Sequence, residues 1–304
     1  MKHGKERKTM TLHGWIIYNG HLPGTSFLEY ANWMQLSASQ KGVTTEIVKN
    51  NHLFSYMDND GNHLLQTTTQ QLPDFVIFAD KDIALAKQLE SLKIPVFNSA
   101  DVIDTCDNKI TTYQKLAARR LPIPRTIIGP KIFPGNTEVE VDTFTIVEDY
   151  FDYPVILKEA YGSFGQQVYL IHTKQELISK INELKETPFL IQEFIDTSYG
   201  RDIRLNVVGG RVVASMLRYS ENDFRPNLPN GKMSPYQPTE EEIQLALDAT
   251  EAIGADFAGI DLLFSNNGPV ICEVNSNAHI KKTFQSTGIN VADFIIEHIR
   301  ETIA

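Results

Sequence analysis

Two stretches in the last third of the chain dictate its local fold more firmly than any other: RDIRLNVVGGRVVASMLRY (201–219) and FAGIDLLFSNNGPVICEVNS (257–276). Each is a pair of apolar, largely alternating runs broken by a short glycine-containing turn, the pattern of a β-hairpin. An antiparallel sheet is therefore expected here. Successive strand side chains alternate faces, so Glu273 and Asn275 look out on the same side. A connecting loop of three residues, Asn266, Asn267 and Gly268, would set Asp261 opposite Glu273 on that face. Such a register gathers two carboxylates and an amide, which is costly without a cation nearby. Hard oxygen donors of this kind suit Mg2+, which takes one or two protein carboxylates and completes its shell with substrate phosphates. Two polar residues on a solvated strand face are the ordinary alternative.

Strands alternate with helices over the first hundred residues. GWIIY, TTEIVKN, PDFVIFAD and IPVFNS read as strands, with SFLEYANWMQLSASQ and KDIALAKQLESLK as helices between them. That order implies a parallel sheet with right-handed crossovers. The loop NGHLPGTS lacks the G-x-G-x-x-G spacing of a dinucleotide site and reads as a substrate loop. A helical run from Ala100 through DVIDTCDNKITTYQKLAARR stops before Pro122, and LPIPRTIIGPKIFPGNTEVE, with four prolines, is the expected linker. Next, PVILKEAYGSFGQQVYLI reads as strand, glycine loop, strand, with Ile156 and Lys158 on one face and Val155 and Leu157 on the other. A lysine on an apolar strand must meet an anion or reach solvent. Gly162 and Gly165 bracket Ser163 in a loop whose N–H groups can approach phosphate oxygens. Asp202 and Arg204 share a strand face, where a cross-strand ion pair is the alternative to a binding role. The helix TEEEIQLALDATEAIG opens with a capping box, Thr239 and Glu242. Three units are expected, spanning 1–105, 106–191 and 192–304.

A net charge of −10 over 304 residues argues against nucleic acid as the main partner, because phosphate neutralisation needs a basic footprint. No apolar run approaches the roughly 20 residues of a membrane span. The basic start MKHGKERKTM precedes only a short apolar run, so it reads as a ragged N-terminus without a signal-peptide core. Cys106 and Cys272 are too few for a disulfide framework and point to a reducing compartment, the cytoplasm. Alternation places Cys272 opposite in facing to Glu273, as a small buried hydrophobe.

The sequence order of these features carries a resemblance. Lys109 in CDNK, Lys158 followed by YGSFG, then QEFI, RDIR, NDFRPN, GIDLL and EVNS resemble the ATP-grasp superfamily, and more narrowly the RimK-like carboxylate–amine ligases, which include α-L-glutamate ligases. The resemblance runs over nearly the whole chain. It implies an α/β (α+β) protein: an ATP-grasp fold behind an N-terminal Rossmann-like pre-ATP-grasp domain. It implies ATP with one or two Mg2+, and Mn2+ as a substitute. Lys109 and Lys158 would contact the α- and β-phosphates beneath the loop of Gly162, Ser163 and Gly165. Glu193, Phe194 and Ile195 would form the hinge that reads adenine, and Asp202 would hold the ribose. Gln192 and Arg204 belong to the same nucleotide-binding set. Arg225 and Asn227 would meet the γ-phosphate end, and Asp261, Glu273 and Asn275 would hold the metal.

The implied reaction joins a small-molecule or peptide carboxylate to an amine or amino acid such as glutamate, through an acyl phosphate. No nucleic-acid or membrane partner is implied, and related ligases often assemble as dimers or tetramers, so a homo-oligomer is expected. The chain departs from the family after EVN, where SNAHIKK replaces the usual Ser-Pro-Gly-type turn, and again at NGK, where paired glycines are common. Those changes leave the acceptor open and keep one alternative in play: an ATP-binding regulatory protein without ligase turnover. Specificity is expected in loops 20–26, 225–236 and 276–284.

Overall fold

The structure, a computed structural model, describes residues 12–303 apart from 69, 134, 136–139, 163, 164 and 228–230, so the N-terminal MKHGKERKTM and Ser163 lie outside the described residues. The chain forms two compact units. One comprises residues 1–101, 279–281 and 290–304, the other 102–278 and 282–289.

The first unit contains β1 (His13–Tyr18), α1 (Ser26–Gln40), β2 (Thr44–Lys49), β3 (Leu53–Asp58), β4 (Gly61–Gln66), β5 (Phe75–Ala79), α2 (Ile83–Ser91) and β6 (Val96–Phe97). Four of these strands make a parallel sheet in the order β2–β1–β5–β6, as their alternation with helices predicts. Trp15, Ile16, Ile17 and the run Phe75–Phe78 are fully buried, the mark of central strands covered on both faces. β3 and β4 form a separate hairpin that hydrophobic periodicity did not disclose. Its alternating residues are mostly exposed, and Gln88 Nε2 ties it to α2 by donating to the His63 carbonyl at 2.7 Å. The C-terminal helix, Val291–Ile303, also belongs here: Lys41 pairs with Glu297, and the Trp33 indole donates to Asn290 at 2.7 Å.

The second unit opens with α3 (Ala100–Asp107) and α4 (Lys109–Ala118). The single helix expected here breaks at Asn108, whose side-chain oxygen accepts from the Ile110 and Thr111 amides and so caps α4 instead of continuing α3. The expected linker contains a short strand, β7 (Thr126–Ile128), with prolines on both sides of it. α5 (Ile146–Tyr150), β8 (Val155–Glu159), β9 (Val168–Ile171), α6 (Lys174–Leu184) and β10 (Phe189–Glu193) complete an antiparallel sheet, β7–β10–β8–β9. Val155, Leu157 and Ile191 pack under α5 and α6 with Val147, Leu177 and Ile181, which leaves the face of Ile156, Lys158 and Gln192 for other work.

β11 (Arg201–Val208), β12 (Arg211–Tyr219), β13 (Lys232–Pro235), α7 (Glu240–Ile253), β14 (Phe257–Ser265), β15 (Gly268–Asn275) and α8 (Ile280–Thr287) follow. The five strands form an antiparallel sheet in the order β13–β12–β11–β14–β15. α7 starts in the anticipated capping box and ends at Gly254 with φ +82°; its Leu245, Ala246, Ala249 and Ile253 share a core with Leu205, Ile260 and Val274.

Register is set here by two β-bulges. Asp261 does lie opposite Glu273, but the β14–β15 connection has two residues, Asn266 and Asn267, rather than three. An extra residue, Cys272, restores the register: Asp261 pairs with Glu273 while Leu262 pairs with Ile271. In β12 the extra residue is Val213, between the pairs Asn206–Ala214 and Val207–Val212, and it brings Arg218 opposite Asp202. Bulges re-aim side chains at the cost of a ladder bond, and each of these delivers a charged residue to the same face. Among the described residues, no helix is long and apolar enough to cross a membrane.

Candidate active site

A pocket in the second unit is lined by both of its sheets. Ile156, Lys158, Gln192 and Glu193 come from the four-stranded sheet; Asp202, Asp261, Leu263, Cys272 and Glu273 come from the five-stranded one. Lys109 enters from the start of α4, Gly162 and Gly165 from the glycine loop, Phe194 and Ile195 from the segment after β10, and Arg225 and Asn227 from the loop after β12. Thirteen of the residues singled out from sequence thus meet in one cavity. Arg204 and Asn275 do not line it: Arg204 turns to Asp261, and the Asn275 amide donates to the Gly259 carbonyl at 3.4 Å.

The lysine that alternation placed on one face with Ile156 is a buried cation, 7% exposed. Lys158 Nζ lies 3.4 Å from the Tyr113 hydroxyl and 3.8 Å from Cys272 Sγ. Burial opposes its charge, but the Cys272, Tyr113 and Glu273 side chains around it outweigh that and hold its pKa above the ordinary lysine value. Tyr113 is a residue sequence reading missed. Its hydroxyl donates to the Cys272 carbonyl at 2.5 Å and so braces the bulge against α4. Lys109 reaches the glycine loop, donating to the Gly162 carbonyl at 3.1 Å, and lies 3.9 Å from Glu273.

At the end of β10, Gln192 donates to Thr126 at 2.8 Å and Glu193 accepts from Arg125 through the backbone N–H (2.8 Å) and Nε (2.7 Å). Both side chains help to hold β7 against β10. Phe194 stands edge-on to Tyr199 and Phe224.

Deeper in, four charges form one buried network. Arg204 donates to both oxygens of Asp261, the Nη2 contact being 2.7 Å. Arg218 grips Asp202 at 2.8 and 2.5 Å and reaches Asp261 at 2.7 Å. Burial pushes the Asp261 carboxyl up, but the two guanidinium groups outweigh it and hold the carboxyl below its usual range. Arg218 was not foreseen, because counting from the Gly209–Gly210 turn without the Val213 bulge pairs Asp202 with Leu217 instead. Nearby, a Cβ on Gly259 would stand 2.5 Å from the Ala278 methyl and 3.0 Å from Arg204 Cδ, so only hydrogen fits.

Among the described residues, no group of three or more His, Cys, Asp and Glu side chains forms a metal cage. The hairpin offers a smaller donor set: the Glu273 carboxylate, the Asn275 amide, and Asp261 if it yields an arginine contact. Such a set is short of a full shell and suits an ion that brings phosphate oxygens with it. The residues therefore fit Mg2+ delivered with a nucleotide better than a resident ion.

The bulge also corrects the facing expected for Cys272, which lines the pocket beside Glu273. Burial pushes its thiol up to about 11, although Lys158 pulls the other way, and pushes Cys106 up to about 12. Only the thiolate reacts, and a thiol raised in this way stays mostly protonated at pH 8. Iodoacetamide at pH 8 is expected to leave both cysteines unlabelled in the folded protein and to label both in urea, as read by mass spectrometry. Rapid labelling of native Cys272 would contradict a raised thiol there.

A model of the RimK-like ATP-grasp domain matches residues 106–299. The chain is 34% identical over 222 residues to a probable alpha-L-glutamate ligase of Maridesulfovibrio salexigens, covering 72% of this chain and 71% of that one. It is 33% identical over 241 residues to beta-citrylglutamate synthase B of Danio rerio, covering 77% of this chain and 57% of the relative, so it spans little more than half of that protein. Its fold is similar to that of D-alanine–D-alanine ligase from Bacillus anthracis complexed with ATP, with a TM-score of 0.69 and 17% identity over 96% of this chain and 97% of that one. At that identity the likeness concerns the fold alone. The family match spans most of the chain, the relatives extend it, and the chain accordingly belongs to the RimK-like ATP-grasp family.

Proposed function

We propose that the protein is an ATP-dependent carboxylate–amine ligase. One observation carries this reading: Lys109, Lys158 and Arg225 converge on a single cavity with the carboxylates of Asp261 and Glu273. Cations and a carboxylate pair facing one space suit a triphosphate and its metal, and no protein nucleophile is needed.

In the proposed reaction a substrate carboxylate attacks the γ-phosphorus of ATP, giving an acyl phosphate and ADP. An amine then displaces phosphate and forms the amide. Lys109 and Lys158 neutralise the α- and β-phosphates, and the backbone of Glu193, Phe194 and Ile195 holds adenine. Asp202 meets the ribose while keeping Arg218, and Arg225 with Asn227 orients the γ-phosphate. Phosphoryl transfer of this kind depends on positioning and charge neutralisation. Glu273, Asn275 and Asp261 would hold one or two Mg2+, or Mn2+ in their place, and the metal would neutralise charge on the transferred group. An amino acid such as glutamate as amine, a small or peptide acid, and the cytoplasm as compartment complete the reading.

The test combines the protein with Mg-ATP and a panel of carboxylates and amines, following ADP release, with hydroxylamine added to trap an acyl phosphate. ADP release that requires an acid, with hydroxamate formed, is the expected result. Nucleotide binding with no substrate-dependent ADP would favour the regulatory alternative, and a stable phosphorylated acid would indicate a kinase.

A further inference from the structure

Arg225 is not free in the cavity. Its Nε and Nη2 each donate to one oxygen of Asp223 at 2.9 Å, and the Arg225 backbone N–H donates to Asp223 Oδ1 at 2.8 Å. Two parallel contacts fix the plane of a guanidinium, not merely its location. The nitrogen left over, Nη1, then donates to the Gly165 carbonyl at 2.8 Å, across to the glycine loop, and lies 3.4 Å from the Val168 carbonyl. Gly165 has φ +70°, and a side chain there would lie 2.9 Å from Asn227, so the residue type allows the loop to come this close. The Asp223 segment is itself anchored: Gly200 donates to the Phe224 carbonyl at 3.1 Å, and the Phe224 ring stands edge-on to Phe194 of the hinge.

From this geometry we infer that Asp223 is a positioning residue: it holds Arg225 in the orientation that fastens Gly165, at the C-terminal end of the glycine loop, to the nucleotide site. The pair joins three parts of one site, the hinge through Phe224, the loop through Gly165, and the phosphate end through the guanidinium. Lys109 holds the other end of the loop at the Gly162 carbonyl. The inference rests on the proposed nucleotide site but not on the identity of the acid or amine.

The experiment follows hydrogen exchange of residues 165–168 in the full chain, with and without the non-hydrolysable analogue Mg-AMPPNP, together with KM for ATP and kcat. In the wild type the nucleotide is expected to slow exchange there. Asp223→Asn is expected to lose most of that slowing and to raise KM for ATP about tenfold, the worth of one charge-assisted hydrogen bond, with a smaller change in kcat. Asp223→Glu, which keeps the fork, should recover most of both. Arg225→Lys keeps charge without the fork and should show the Asp223→Asn loss of slowing, and the double variant should be no worse than either alone. Glu221→Gln, which breaks an exposed pair with Lys232 on the same loop, serves as the unaffected control.

Wild-type slowing and KM in Asp223→Asn would overturn the inference, as would full additivity in the double variant. Should Asp223→Asn fail to fold, Arg225→Lys and Asp223→Glu still decide the question. A protein that never forms an amide yet shows this pattern would sink the ligase reading and leave the inference standing. A ligase whose loop exchange ignores Asp223 would do the reverse.

Discussion

Glu273→Gln is expected to lose ATP turnover by about a hundredfold while the protein stays folded. The side chain is 26% exposed, with Lys109 at 3.9 Å, and buried Lys158 also draws on its charge, so neutralising it weakens the support of two lysines without opening the core. Glutamine keeps the length and one oxygen, and the β15 backbone pairing does not involve the side chain. Stability should fall by about 1 kcal/mol, which leaves the protein folded. What is lost is a charged oxygen donor for the metal that neutralises the phosphoryl group, a contribution of roughly 3 kcal/mol. ADP release at saturating substrates and a thermal melt make the comparison. Near wild-type ADP release by a well-folded Glu273→Gln would remove this carboxylate from the chemistry altogether.

The second large effect falls on stability. Asp202, Arg204, Arg218 and Asp261 are each 9% exposed or less and balance one another in charge. Arg218→Met removes both contacts to Asp202 and one to Asp261. It leaves a buried carboxylate without its partner, which costs about 3–5 kcal/mol. For a unit of this size that corresponds to a fall in Tm on the order of 10 °C. Adding Asp202→Asn to Arg218→Met should return part of the loss, because the stranded charge is then gone. Denaturant titration of the single and double variants reads this directly. A loss below about 1 kcal/mol for the single variant would mean that water reaches the network and screens it.

Much of this site could be read before any coordinates, and the reasons are local. Val155 and Leu157 alternate with Ile156 and Lys158, and a period of two assigns faces without further information; the core beneath α6 and the pocket floor follow from it. Thr239 and Glu242 announce the start of α7 because a capping box acts over four residues. The parallel sheet of the first unit is equally plain, since strands buried on both faces are unbroken apolar runs.

Failures came where one residue changes the count. The bulges at Val213 and Cys272 are written in neither composition nor periodicity, yet they decide that Arg218 meets Asp202 and that Cys272 shares the pocket with Glu273. The β14–β15 register was anticipated with the wrong turn: a two-residue loop and a bulge give the same pairing as a three-residue loop. Asn108 read as a helix interior because its capping role depends on which backbone N–H groups are left unpaired. β7 hid among prolines that flank it, and the β3–β4 hairpin exposes most of its residues and so lacks a buried stripe to betray it. The arginine contacts to Asp261 are tertiary, joining neighbouring strands whose pairing no local pattern states.

The space at Gly259 has a bearing on how such a chain can change over generations. A methyl at 259 would collide with the one at 278 and crowd the stem of Arg204, whose guanidinium is held at Asp261. An alanine can therefore settle at 259 only in a lineage that has already surrendered the methyl at 278, and the two substitutions are ordered as well as coupled. Gly259→Ala should damage the protein alone and be partly rescued by Ala278→Gly, which relieves the methyl clash but not the crowding of Arg204, whereas Ala278→Gly on its own should pass almost unnoticed.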